Sequence, residues 1–149
     1  MRQNLGLMAE DAGATSVHSR HGDLTLEQIA EGLPGTGDVM AAVSHCFGTT
    51  LHAARAERWD LAAYYARRVR ALMRTLAVRR PKYAVQLNDF VRAGLEPLLH
   101  AITARDESEF QIRYAACVEM ANRYHIDTGH AYIEWVPPTT SPEKGLGLP

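Results

Sequence analysis

The chain has almost no cysteine, no long apolar run and no surplus of either charge, and each shortage narrows what it is. Cys46 and Cys117 are its only two cysteines in 149 residues. They lie far apart and match no CxxC or zinc-ligand spacing. A disulfide between them stays open, but free cysteine is among the most buried residue types, so two buried reduced thiols are the expectation. No stretch approaches the ~20 apolar residues of a membrane span. The first 22 residues hold no apolar run of the ~7–15 residues that a secretory signal needs. Taking Met1 as the start, the expected location is cytoplasmic. The formal net charge of -1 supplies no global attraction to nucleic acid or anionic lipid. No Gly-rich phosphate loop, nucleophile elbow or paired-carboxylate motif occurs, so no reaction class can be named.

What is present is an ordinary globular balance. Hydrophobic residues make up 46% and charged residues 22%, enough to build one packed core and too little chain for two. Residues 1–23 show no hydrophobic period and read as a mobile arm. Thr25 with Gln28 makes a capping-box pattern, and Gly32 followed by Pro34 is a stop, which predicts a short helix over 25–31. Thr36 or Asp38 can cap a helix running to about Glu57, with Met40, Val43, Phe47, Leu51 and Ala54 on one stripe. Asp60 is a candidate cap for a helix over 61–78, with Ala62, Tyr65, Val69, Leu72 and Leu76 inward. Pro81 makes the next turn. A third long helix is predicted over 84–104, with a kink or break at Pro97. Asp106 and Glu109 cap a fourth, over 107–126, whose stripe is Phe110, Tyr114, Cys117, Ala121 and Tyr124/His125. The Pro-rich end is extended, with Tyr132, Ile133 and Trp135 packing back before the chain frays. The fold class is therefore all-α: an antiparallel four-helix bundle over 24–137 with a short N-terminal helix and a C-terminal tail over 138–149.

The last predicted helix ends Ala121-Asn122-Arg123-Tyr124-His125-Ile126-Asp127-Thr128-Gly129-His130, followed by AYIEWVPPTTSP. This stretch resembles the end of the small four-helix c-type cytochromes, the cytochrome c-prime-like family, where C-N-x-C-H precedes a short polar stretch and an extended tail. Pro34 to Met40 resembles the entry to that family's first long helix, Arg58 to Tyr64 its turn into the second, and Ala101 to Asp106 with Phe110 its turn into the fourth. The likeness covers about residues 24–142. It implies a haem site, yet Ala121 and Tyr124 stand where the attaching cysteines belong, and neither side chain can add to a haem vinyl group. Only the histidine position is kept, as His125. Phe47 stands where the family often carries a histidine in its first helix, and Leu51 where it carries a large aromatic. The second helix, acidic in the family, here holds seven basic residues over 61–82 and no acid.

The expectation from these residues is a degenerate, haem-free relative that serves as a ligand-binding or protein-interaction module, as a homodimer. Ala121, Tyr124 and His125 are its candidate cofactor-site residues, and Phe47, Leu51, Tyr65 and Tyr114 its candidate pocket lining. Two alternatives stand beside it. His125 is an axial ligand to non-covalent haem in one, against the plainer reading of a helix-end histidine bonded to a carbonyl. The other is an enzyme or enzyme subunit with an unfamiliar His/Tyr site. His45, His52 and His100 fall away from the apolar stripes by helical angle and are expected at solvent or an interface. Arg67, Arg70 and Arg74 form a basic stripe suited to an acidic partner, or paired with nearby acids such as those at 106–109. Nucleic acid is not favoured, since no aromatic residues interleave that stripe.

Overall fold

A computed structural model describes residues 15–149. Among them two units separate, one ending at Pro34 and the other running from Gly35 to Pro149. Residues 1–14 of the predicted arm lie outside the described residues.

In the first unit, strands β1 (Ser16–Ser19) and β2 (Gly22–Thr25) pair antiparallel, with Val17 opposite Leu24. This corrects the expectation of an arm through residue 23. Four-residue strands are too short for their alternation to register, and the hairpin relies on local polar bonds. The His18 ring meets the Asp23 carboxylate at 2.6 Å, and Ser19 donates to the Gly22 carbonyl at 2.8 Å. Gly22 leaves the two-residue turn at φ 123°, where a Cβ is disfavoured. Helix α1 (Leu26–Glu31) follows at once, and its capping box is complete: the Gln28 amide donates to Thr25 Oγ1 at 3.1 Å and the Thr25 amide to Gln28 Oε1 at 2.9 Å. α1 thus belongs with the hairpin, and the boundary expected at residue 24 falls after Pro34.

The second unit is mostly helical. Helix α2 (Thr36–Arg55) starts where the Asp38 carboxylate accepts from the Gly35 amide at 3.1 Å. Helix α3 (Trp59–Arg79) begins two residues earlier than predicted; Arg58 holds the cap position and Asp60 sits in the first turn, its side chain 100% exposed. The buried stripe of α3 is Ala62, Ala66, Val69, Met73 and Leu76, which leaves Tyr65 and Leu72 on its half-buried edge. A single 3-10 turn (Pro81–Tyr83) leads into helix α4 (Ala84–Asp89).

Pro97 is accommodated by a change of helix type. Between α4 and helix α5 (Glu96–Ala104) the chain winds as a π-turn over Phe90–Leu95, and the Glu96 amide donates to the Val91 carbonyl five residues back. Proline has no amide hydrogen for the carbonyl four residues before it. Widening the preceding turn lets the helix continue instead of breaking. Helix α6 (Glu107–Asp127) starts as the capping pattern predicts, with the Glu109 amide on Asp106 Oδ1 at 2.9 Å.

α2 packs on α3, α3 on α5, and α6 on α5 and the π-turn. Leu51, Leu76, Leu95, Leu98, Ile102 and Phe110 are the largest apolar side chains sealed between them. No helix among the described residues is long and apolar enough to cross a membrane.

The C-terminal tail does not fray. Pro138 and Pro142 lie over Gly48 of α2, and Ser141 is buried with its amide on the Pro149 carbonyl at 2.9 Å. His52, expected at solvent or an interface, is only 2% exposed and donates from Nε2 to the Pro138 carbonyl at 2.9 Å. A helical-angle argument recognises one covered face; the tail covers a second face of α2. Trp135 packs back as expected, whereas Tyr132 is 80% exposed.

Cys46 and Cys117 are free and buried. Burial raises the Cys46 thiol against the opposing pull of Arg68, and pushes Cys117 up to about 12. Since the thiolate is the nucleophile, the native protein at pH 8 should react with a colorimetric thiol reagent at least ~100-fold more slowly than a free cysteine peptide. Both thiols should react promptly in denaturant. Fast native reaction at either would show that the core around it opens.

Candidate functional site

One apolar cleft of about 180 Å³ opens where α2, α3, α6 and the start of the tail converge. α2 contributes Met40, Val43 and Phe47, spaced to share one helical face. α3 adds Met73 and Leu76, and the segment after Pro81 adds Tyr83, Gln86, Leu87 and Phe90. Ala121, Tyr124 and His125 come from one face of α6, being three and four residues apart. The tail closes one side with His130, Ile133 and Trp135.

The polar side chains on these walls are held by specific partners. Trp135 is pinned at three points: its amide and carbonyl bond the Asn122 side chain at 2.8 and 3.0 Å, and its Nε1–H donates to Ser44 Oγ at 2.8 Å. The His125 Nδ1–H donates to the Ile133 carbonyl at 3.0 Å. A carbonyl only accepts, so the neutral ring carries its proton on Nδ1 and Nε2 is left as an acceptor. The Tyr124 hydroxyl donates to the Asp89 carboxylate, which also takes Arg92. Those two bonds hold the Asp89 carboxyl below its usual range, Tyr124 being the larger cause. Burial, then the adjacent carboxylate, raises the Tyr124 phenol.

Four of the seven candidate residues meet in this cleft: Ala121, Tyr124, His125 and Phe47. The other three do not line it. Tyr114 is buried behind Phe47, its ring stacked at 4.3 Å and 8°, its hydroxyl donating to the Phe47 carbonyl at 2.9 Å. Leu51 is sealed in the core one turn beyond Phe47. Tyr65 sits on the outer edge of α3 against Tyr64. The correction has a simple geometric cause. Tyr114 and Ala121 share a stripe, but seven residues separate them by about 10 Å along the axis. A stripe assigns a face and says nothing about depth.

The walls that sequence reasoning missed, Tyr83, Gln86 and His130, come from a turn, a half-turn of α4 and the loop after α6. No periodicity marks such positions. The remaining histidines scatter: His45 faces Glu143 at 3.4 Å and His100 is exposed. Among the described residues no group of three or more His, Cys, Asp or Glu is placed to hold a metal. Arg70 and Arg74 both reach Glu96, at 3.1 and 3.2 Å, rather than the acids at 106–109, and Arg67 is exposed.

The residues do not fit covalent haem, since the cleft presents Ala121 and Tyr124 and no thiol lines it among the described residues. Its volume, about 180 Å³, is close to the ~150 Å³ of a cavity that takes a benzene. No protein-family model, curated protein or solved structure matches the chain.

Proposed function

We infer that residues 35–149 form a four-helix bundle of the cytochrome c-prime-like kind that has lost covalent haem and binds a small apolar ligand in the former prosthetic-group cleft. One observation carries this reading. Ala121, Tyr124 and His125, at the two attachment positions and the histidine position of the resembled motif, all line the same apolar cleft. Pockets with apolar walls and a few fixed polar groups are what small-molecule sites look like. The role is binding, and we assign the cleft no reaction.

The test is a titration of the full chain with small aromatic rings such as toluene and indole, followed by the NMR signal of Trp135 Nε1–H on the cleft wall. Saturable shifts are expected in the native chain. They should weaken at least ~10-fold in Ala121→Phe, which fills the cleft, with the melting temperature of that variant checked alongside. No saturable shift with any ring would overturn the reading.

A b-type haem site is the second reading, favoured by one detail: the His125 Nε2 is free and its Nδ1–H is anchored on a carbonyl, the arrangement in which imidazoles serve as ligands. Titration with hemin separates the two. Weak, substoichiometric absorption is expected. A stable stoichiometric Soret band that His125→Ala removes would replace ligand binding with haem binding.

A further inference from the structure

We propose that the cleft selects a flat aromatic ligand bearing an N–H or O–H donor, over an isostere without the donor and over an anion. The proposal rests on the ligand-binding reading above and deepens it. It follows from which hydrogen-bonding groups on the walls are already spent.

Two acceptors are left over. His125 is the first, with Nδ1–H on the Ile133 carbonyl and Nε2 unengaged. His130 is the second. The Thr128 hydroxyl has one proton, and its 2.7 Å contact with the Tyr124 carbonyl uses it, because a carbonyl can only accept. At 3.1 Å from His130 Nδ1 the same hydroxyl oxygen must therefore accept. The His130 proton lies on Nδ1, and Nε2 is again a bare acceptor. An acceptor left without a partner on an apolar wall favours a ligand that brings a donor to it.

Two of the donors, in contrast, are committed. The Tyr124 hydroxyl is on Asp89 and the Trp135 Nε1–H on Ser44. The Ser44 and Tyr83 hydroxyls can serve in either role, and the Gln86 side-chain N–H groups can donate. Among the described residues no Lys or Arg lines the cleft to hold a permanent charge against a carboxylate. The shape of the ligand follows from the walls. Phe47, Phe90, Tyr83 and Trp135 present ring faces and edges, and Met40 and Met73 supply thioethers that adapt to an aromatic guest. A volume of about 180 Å³ holds one or two fused rings.

Indole and benzofuran test this on the intact chain, because they match in shape and differ in carrying a ring N–H or a ring oxygen. Indole-2-carboxylate adds the anion. Affinities come from calorimetry, with the Trp135 Nε1–H shift placing each ligand in the cleft. Indole should bind roughly 10-fold more tightly than benzofuran, and the carboxylate more weakly than indole. Equal affinities for indole and benzofuran, or a carboxylate as tight as indole, would overturn the donor selectivity and leave the cleft as a plain apolar site. Absence of saturable binding by all three would remove the ligand-binding reading as well.

Discussion

Tyr114→Ala should lower the unfolding free energy by about 3–5 kcal/mol, the range for removing a large buried aromatic. Tyr114 is 3% exposed and sits in the middle of a file of rings. Phe47 stacks on one side at 4.3 Å, and Phe110 tilts against the other at 5.6 Å. Trp59 then meets the edge of Phe110 at 6.0 Å, and Trp135 meets Phe47 at 5.2 Å. Removing the middle ring leaves a void between helices that cannot close without moving α2 or α6. The hydroxyl contributes less. Tyr114→Phe loses the bond to the Phe47 carbonyl and should cost about 0.5–1.5 kcal/mol. Urea denaturation followed by circular dichroism measures both. A loss under about 1 kcal/mol for Tyr114→Ala would show that the stack is incidental to the fold.

The same residue sets a pH dependence. Burial raises the Tyr114 phenol well above its ordinary value, and it pushes the Cys117 thiol up to about 12. Both groups stay neutral in the folded chain at pH values where the unfolded chain has begun to ionise them. The unfolded state then binds fewer protons than the folded one, so stability falls as pH rises. The stabilisation is whole below about pH 8.5, and its loss steepens above about pH 10, following the unfolded values of the two groups. Tyr114→Phe should blunt the upper part of that loss.

Gly48→Ala carries the second large effect, and its sign is diagnostic. In an uncovered helix, replacing glycine by alanine stabilises by about 1 kcal/mol. Here a Cβ at position 48 would sit 2.8 Å from the ring carbons of both Pro138 and Pro142. Proline rings cannot swing aside, so either the tail lifts or α2 shifts. The net change should be a loss of about 1–3 kcal/mol, and Gly48→Val should lose more. Limited proteolysis should cut residues 136–149 faster in both variants, because the anchors at His52 and Ser141 depend on the tail lying close. A Gly48→Ala protein that is more stable than the parent would mean that the tail does not rest on α2 in solution.

Much of the helical frame is legible in the residues, because its signals are local. Asp106 with Glu109, Thr25 with Gln28, and Pro81 mark ends that depend only on backbone groups a few positions away. The stripe Phe110, Tyr114, Cys117 is legible for the same reason, since 3.6-residue geometry is the same in any helix. Pro97 announces a disturbance, though not its form: that the chain answers with a π-turn over Phe90–Leu95 depends on how the widened turn packs against α6.

The candidate site divides the same way. That Ala121, Tyr124 and His125 share a face, and that two of them cannot attach haem, follows from spacing and side-chain chemistry alone. That Phe47 reaches the cleft while Tyr114 lies behind it is a matter of depth, decided by where α6 slides along α2. The burial of His52 was set by residues 86 positions away, and the availability of the His125 and His130 Nε2 atoms by which carbonyl and hydroxyl each ring happens to meet. By itself the sequence determined where the long helices run and which face of each is apolar, because these depend on neighbours in the chain. The tertiary structure alone decided that Ala121, Tyr124 and His125 border an open apolar cleft and which polar groups line it, because closing or opening a space between helices depends on contacts that no local pattern encodes.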